Sequence, residues 1–282
     1  MNVSDIMSSP VFMMGPDEPI SHARNLMLKH KISTVVVGDG EKMMGIVSKA
    51  DLSRKLAQAE PIWRRRPIDK VPVSMAMTED PITIYPEASI SQAGNLMLEN
   101  NINYLAVMKK GLVGIVTGTD IVKYVSKLDE QKFGKKVHEI ISDDMVRIHM
   151  HHTINHAIEE MEKNNLEEVL VVDDAEKVIG LISVSNVALN IMAEADGNLP
   201  TKNIKMTRRP TPGGQKAYRY IKEVPLVAED IMSGIDTVVK WDDSAVKAAK
   251  LIVEDNSRVL PVEKDGEIVG VIRRKDLIRI AQ

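Results

Sequence analysis

The sequence predicts an α/β fold built from four copies of one β-α-β-β-α unit, paired two and two. Three observations carry that prediction. A short apolar segment ending in Ser or Thr occurs four times, a stretch of helical period follows each at a fixed distance, and each copy runs on into a strand beginning with Gly.

The opening segments, residues 5–8, 75–78, 139–142 and 230–233, end on Ser8, Thr78, Ser142 and Ser233. A brief strand follows, as at residues 81–85, stopped by a proline or turn signal. Twelve residues after each Ser or Thr a helix opens, at Ile20, Ile90, Ile154 and Ala245. Ser89, Thr153 and Ser244 stand where N-caps are needed. Ala93, Leu96, Met97 and Asn100 recur at helical spacing, so one stripe should face a sheet. The helices are expected to end near Ile32, Ile102, Leu166 and Ser257.

β-branched and aliphatic runs follow at 34–37, 104–107, 169–172 and 259–262. Polar turns such as residues 37–40 and 263–266 read as hairpin connections to second strands starting at Gly45, Gly114, Gly180 and Gly270. From opening Ser or Thr to that Gly is 37, 36, 38 and 37 residues, a constancy unrelated segments would not keep. Second helices are expected over 51–56, 120–125, 186–192 and 276–281. The repeats therefore span 1–57, 72–127, 128–192 and 228–282, separated by a basic linker at 58–71 and a basic Gly/Pro-containing insertion at 193–227. A unit of this size exposes one sheet face, and stacking two sheets buries it, so pairs should be the folding entity.

Composition narrows the function. A net charge of −3 over 282 residues gives no global attraction to nucleic acid or acidic membranes. With no cysteine there are no disulfides, thiolate nucleophiles or Cys-based zinc sites. No apolar run is long enough for a membrane helix, no membrane association is expected, and the first residues lack a signal-peptide layout, so a cytoplasmic location is expected. Aromatics are only 3%, which leaves few stacking platforms for single strands, and the 17 methionines read as adaptable core filler. No Walker loop, GxGxxG turn or nucleophile elbow is present, so an enzyme is not expected.

The chemistry sits at the second-strand-to-helix junctions. Ser48 with Asp51 and Thr117 with Asp120 place a hydroxyl and an acid three residues apart at a helix start. Free N–H groups there attract phosphate, the hydroxyl adds a donor, and the carboxylate can accept from vicinal sugar hydroxyls. The same spacing also makes an ordinary capping box, so both readings stand. The later copies differ: Ser183 is followed by Asn186, which lacks charge-assisted strength, and Arg273 replaces the hydroxyl before Asp276. Arg273 either contacts phosphate or pairs with Asp276 and closes the site.

Two weaker signals remain. His149, His151, His152 and His156 are dense, but no further ligand stands at metal spacing, and no metal is assigned. Residues 63–66 and the 193–227 insertion are basic. The insertion reads as a mobile, solvated connector, with contact to RNA, a ribosome or an acidic protein through Lys202–Lys222 as the alternative, and a structural interaction scaffold with vestigial clefts stands as a further reading of the whole chain.

The junctions Gly45-Ile-Val-Ser-Lys-Ala-Asp51, Gly114-Ile-Val-Thr-Gly-Thr-Asp120, Gly180-Leu-Ile-Ser-Val-Ser-Asn186 and Gly270-Val-Ile-Arg-Arg-Lys-Asp276 resemble those of the cystathionine-β-synthase (CBS) domain family, whose paired form is the Bateman module. The four-repeat form is similar to γ subunits of AMP-activated protein kinase, which implies two Bateman modules assembled into a flattened disc. The resemblance implies two clefts per module, with the Asp of one repeat on a ribose and adenine against the partner repeat. One cleft would join Thr117 and Asp120 to Ser8, Met13, Ile32 and Ser33; its mate would join Ser48 and Asp51 to Thr78, Thr83, Ile102 and Asn103. In the second module Arg147 and Arg258 would supply phosphate contacts, opposed by Glu167 and Glu168. It implies AMP, ADP, ATP or S-adenosylmethionine as a regulatory ligand, no catalytic cofactor, and energy sensing by population shift read by a protein partner. A homodimer is a further expectation.

Overall fold

The computed structural model describes residues 1–40, 42–52, 68–142, 144–184, 186–187, 201–208, 218–255 and 257–281. Repeat one comprises β1 (Met13–Met14), α1 (Ile20–Lys29), β2 (Thr34–Gly38) and β3 (Met43–Ser48). Repeat two comprises β4 (Thr78–Glu79), β5 (Thr83–Ile84), α2 (Ile90–Glu99), β6 (Tyr104–Met108), β7 (Leu112–Thr117) and α3 (Gly118–Val125), followed by α4 (Glu130–Phe133). Repeat three holds β8 (Arg147–His149), α5 (Ile154–Lys163), β9 (Glu168–Val172) and β10 (Val178–Ser183). After it come β11 (Thr201–Arg208) and β12 (Tyr218–Pro225). Repeat four follows as α6 (Ala228–Ile231), β13 (Ser233–Gly234), β14 (Val239–Lys240), α7 (Ala245–Glu254), β15 (Val259–Lys264), β16 (Glu267–Arg273) and α8 (Arg274–Ile280).

The first helix of each repeat begins at its expected residue, and the hydroxyls of Ser89, Thr153 and Ser244 accept from the backbone N–H three residues on. The ends come earlier than expected, at Lys29, Glu99, Lys163 and Glu254. In the first three repeats Lys31, Asn101 and Asn165 turn left-handed at φ 53°, 50° and 52°, which breaks the helical ladder and feeds the next strand. The second strands start two or three residues before their glycines, because the hairpins are tighter than the sequence suggests; Gly40 and Gly266 close two of them at φ 95° and 86°. The second helices α3 and α8 start directly after Thr117 and Arg273, two residues before the expected Asp.

In each repeat the strand before the first helix (β1, β5, β8, β14) pairs parallel to the strand after it (β2, β6, β9, β15), which pairs antiparallel to the glycine-bearing strand (β3, β7, β10, β16). Between paired repeats the lead-in segments are exchanged. Thr78 and Glu79 add to β3 of repeat one, while Ser8 bridges to Ile115 on β7 of repeat two. Likewise Ser233 and Gly234 add to β10 of repeat three, and Ser142 bridges to Val271 on β16 of repeat four. The junction glycines exist for this crossing. A Cβ on Gly45 would stand 2.7 Å from the Thr78 carbonyl oxygen, and one on Gly180 2.8 Å from that of Ser233.

The described residues form two compact units, one holding 1–51, 72–145 and 235–282, the other 146–234 with the described part of 52–71. In the first unit Val36 and Ile46 of repeat one pack on Tyr104, Ala106 and Ile115 of repeat two, the sheet-to-sheet burial the pairing argument requires. Each fully buried aliphatic side chain there contributes about 1.5–3 kcal/mol of transfer free energy. Helix α3 of repeat two buries Val122 and Val125 against Ala248, Ile252 and Leu277 of repeat four. The second unit has its own core around Ile148, Ile154, Val171, Ile182 and Ile231.

The insertion differs from expectation. Residues 201–208 and 218–225 form an eight-residue antiparallel ribbon, Thr201 opposite Pro225 through Arg208 opposite Tyr218. Alternating Ile204, Met206, Tyr220 and Val224 give it strand periodicity, a signal outweighed in the sequence by the prolines and glycines at 210–214. The Trp63–Arg66 stretch lies outside the described residues.

Candidate functional site

Each junction is a strand end that turns at once into a helix, so its first N–H groups have no helical partner. The acid fills that need from within. Asp120 Oδ2 accepts from the Thr117 backbone N–H at 2.9 Å and from its hydroxyl at 2.7 Å. Asp51 Oδ2 does the same with Ser48, at 2.8 and 2.6 Å. Capping is therefore real at both junctions, and it uses one carboxylate oxygen.

What the other oxygen does separates the repeats. Asp120 is 9% exposed, and no donor among the described residues reaches its Oδ1. Its pKa is raised by burial, against the opposing pull of the Thr117 hydroxyl and N–H, Lys123 and Arg274. Asp276 is 1% exposed; its Oδ2 takes the Arg273 N–H at 2.8 Å, and its Oδ1 takes the Ser142 hydroxyl at 3.0 Å. Arg273 does not pair with Asp276 through its guanidinium. Its Nη1 bonds the Asp144 carboxylate and its Nη2 the Asp144 carbonyl at 3.0 Å. In repeat three Asn186 Oδ1 accepts from Ser183, while its Nδ2 donates to the Ser233 hydroxyl at 2.9 Å. In repeats three and four the junction side chain is thus tied to the partner repeat's lead-in serine.

The remaining expected residues fall as follows. Ser8 and Thr78 lie beside the partner repeat's glycine-bearing strand, opposite Ile115 and Ile46, each two positions before Thr117 or Ser48. Met13 and Thr83 are on β1 and β5, opposite Val36 and Ala106. Ile32 and Ile102 follow the left-handed turns, their N–H groups donating to Met27 and Met97. Ser33 and Asn103 sit at their own repeat's junction: the Lys49 N–H donates to the Ser33 carbonyl at 3.0 Å, and Gly118 to that of Asn103 at 2.9 Å. Arg147 is exposed on β8. Glu168, 6% exposed, stands opposite Ser183 in the β9–β10 register, and Val184 donates to the Glu167 carbonyl at 2.9 Å.

Sequence reading missed Lys49 and Arg274. Lys49 is half-buried, and no acid among the described residues pairs with it. Its pKa is lowered by burial first, then by the fields of Arg258 and Arg274. Arg274 donates to the Thr119 hydroxyl at 2.8 Å, inside the Thr117–Asp120 junction, and to the Ser257 carbonyl. Its N–H donates to the Arg258 carbonyl at 3.2 Å. A concentration of positive charge therefore adjoins the first two junctions. In hindsight the signal was the basic residue directly following the Ser48 or Arg273 position.

The histidines lie close, with ring centroids 5.2 Å apart for His149 and His151 and 4.4 Å for His152 and His156. His149 is on β8 and His151 in the turn beyond it, so they do not share a strand face. Among the described residues no three His, Asp or Glu side chains are grouped to hold a metal. No described helix is long and apolar enough to cross a membrane.

Comparison with known proteins agrees with this architecture. The chain is 23% identical over 98% of its length to the uncharacterized protein MJ1404 of Methanocaldococcus jannaschii, and spans 61% of that relative's length. The crystal structure of M. jannaschii MJ1225, described as a candidate archaeal homologue of g-AMPK, superposes with a TM-score of 0.76 over 99% of both chains at 18% identity. A conserved protein from Pyrococcus horikoshii gives 0.64 over the full length of both at 16% identity. The family model described as CBS domain matches residues 3–58, 73–127, 137–193 and 227–282. Four matches in tandem, each ending in the strand-to-helix junction just described, make the chain a member of the CBS domain family.

Proposed function

We propose that the chain is a non-enzymatic regulatory protein that binds an adenosine-containing nucleotide at the junctions of repeats one and two and signals by a shift between inter-repeat geometries. The observation that carries this reading is Asp120: a buried carboxylate with one oxygen spent on its cap and a second that no described donor reaches. A buried acceptor of that kind is costly unless something donates to it, and vicinal ribose hydroxyls supply two donors. Lys49, Arg258 and Arg274 add the charge that a 5′-phosphate chain requires. That favours AMP, ADP or ATP over S-adenosylmethionine, and it fits the description of MJ1225 as a candidate homologue of g-AMPK. Junctions three and four are not assigned ligand, because Ser233 and Ser142 already hold their polar side chains. The signal reaches a protein partner by differential affinity for the two geometries.

Thermal melting tests it, on protein refolded from denaturant so that no co-purified ligand remains. AMP, ADP, ATP, NAD, S-adenosylmethionine and methylthioadenosine are compared on the parent chain and on Asp120→Asn. Saturation to 100 times the dissociation constant stabilises a fold by about 2.7 kcal/mol. A shift with one adenine nucleotide that Asp120→Asn abolishes supports the reading. No shift with any compound, or one that the substitution leaves intact, sinks it.

A further inference from the structure

The β11–β12 ribbon has no part in the nucleotide reading. Residues 201–225 carry seven Lys and Arg against Glu223 alone, five of them on the two paired strands, so the chain's net charge of −3 is the balance of a +6 segment and a −9 remainder. Charge so segregated is not what a solvated connector needs. The ribbon pairs with no other described strand. Lys202 is neutralised at its base by Asp230 at 2.6 Å and Glu229 at 3.8 Å. Lys205, Arg219 and Lys222 are exposed and form no ion pair among the described residues. Lys205 stands opposite Ile221, and Arg219 opposite Thr207 on the same face, while Lys222 lies on the other face opposite Ile204.

From the ribbon's shape and charge we propose that it is a docking arm for double-stranded DNA, laid in the major groove with cations of both faces reaching the flanking phosphates. Eight paired residues span about 24 Å, at about 3.4 Å per residue. The B-form major groove admits a two-stranded ribbon. The A-form RNA major groove is too deep and narrow for one. Single strands would need stacking platforms, and Tyr220, 43% exposed, is the one exposed aromatic ring among the described ribbon side chains. With lysine and arginine as the free groups, binding is to backbone and carries little sequence preference.

The test is fluorescence anisotropy with a labelled 20-base-pair DNA, the matching RNA duplex and a single strand, over a series of salt concentrations. The parent should bind DNA duplex tightest, with affinity falling steeply as salt rises. The triple variant Lys205→Gln, Arg219→Gln, Lys222→Gln should bind at least about tenfold more weakly in 0.1 M salt, with a log–log slope shallower by about 3. A control exchanging Lys110, Lys127 and Lys132 of the other compact unit for Gln should bind like the parent. Melting curves check that each variant folds. No binding, binding the triple variant retains, equal loss in the control, or an RNA duplex bound as tightly as DNA would each overturn the proposal. None of these outcomes depends on whether a nucleotide occupies the junctions.

Discussion

Ser142 donates its hydroxyl to Asp276 at 3.0 Å, across 134 positions of the chain. The bond fixes the lead-in of repeat three onto the junction of repeat four. Its counterpart runs from Asn186 to Ser233 at 2.9 Å. Removing the donor to a buried ionised acceptor costs more than removing the acceptor of an amide. Ser142→Ala should lose about 1–3 kcal/mol in urea denaturation, and Ser233→Ala about 1 kcal/mol or less. Equal losses would mean that the Asp276 charge is not what makes the first bond matter.

Asp276 also gives a pH dependence of defined sign. Burial raises its folded-state pKa, against the Arg273 N–H, the Ser142 hydroxyl and the fields of Arg273 and Lys275. A carboxyl raised on folding weakens the fold above that pKa, and the penalty is relieved as pH falls through it. Asp276→Asn keeps both bonds, since an amide can accept from Arg273 and donate to Ser142, as Asn186 does in repeat three. The variant should be more stable than the parent at pH 7, with the gap closing as pH falls. A gap unchanged from pH 7 to pH 4 would show that the charge of Asp276 costs nothing.

The crossing glycines make a steric prediction. Gly45→Ala and Gly180→Ala put a methyl within 2.7 and 2.8 Å of backbone oxygens that cannot yield without breaking the exchanged pairing. Each should cost about 1–3 kcal/mol, typical of overpacking. Gly111, whose Cβ would meet nothing within 4 Å, should accept alanine with little change. Chemical denaturation of the three variants measures this.

Lys49 links stability to ligand. Exchanging it for Met removes a half-buried charge facing two arginines, so the ligand-free protein should melt higher. On the nucleotide reading, affinity for ATP should fall by about tenfold or more while that for adenosine stays the same, measured by calorimetry. An equal fall for both compounds would place Lys49 away from the phosphates.

Legibility in the sequence followed physical range. The four helix starts were visible because a capping hydroxyl and a helical stripe are local, as at Ser89 and Ile90. Their ends were less so: Lys31 in the left-handed region is imposed by the next strand, not by lysine's own preference. The capping roles of Asp51 and Asp120 were legible in their spacing. The bonding of Asp276 was not, because its partner Ser142 comes from another repeat, and only the assembled geometry shows its second oxygen bonded. The partners of Arg273 were hidden in the same way, by an acid at Asp144 far off in sequence. The ribbon was obscured by composition: charge and Pro/Gly content spoke for a coil, while antiparallel pairing of 201–208 with 218–225 decided otherwise.

The exchange of lead-in segments bears on how such a chain can be inherited. A single repeat would carry a strand meant for its neighbour's sheet and leave an unfilled edge on its own. Cut loose, it should seek a second copy and trade strands with it. Gene duplication acting on one repeat would therefore create an intermolecular handshake before an intramolecular one. The heritable unit of this architecture is the couple, and substitutions on either side of each crossing are expected to travel together.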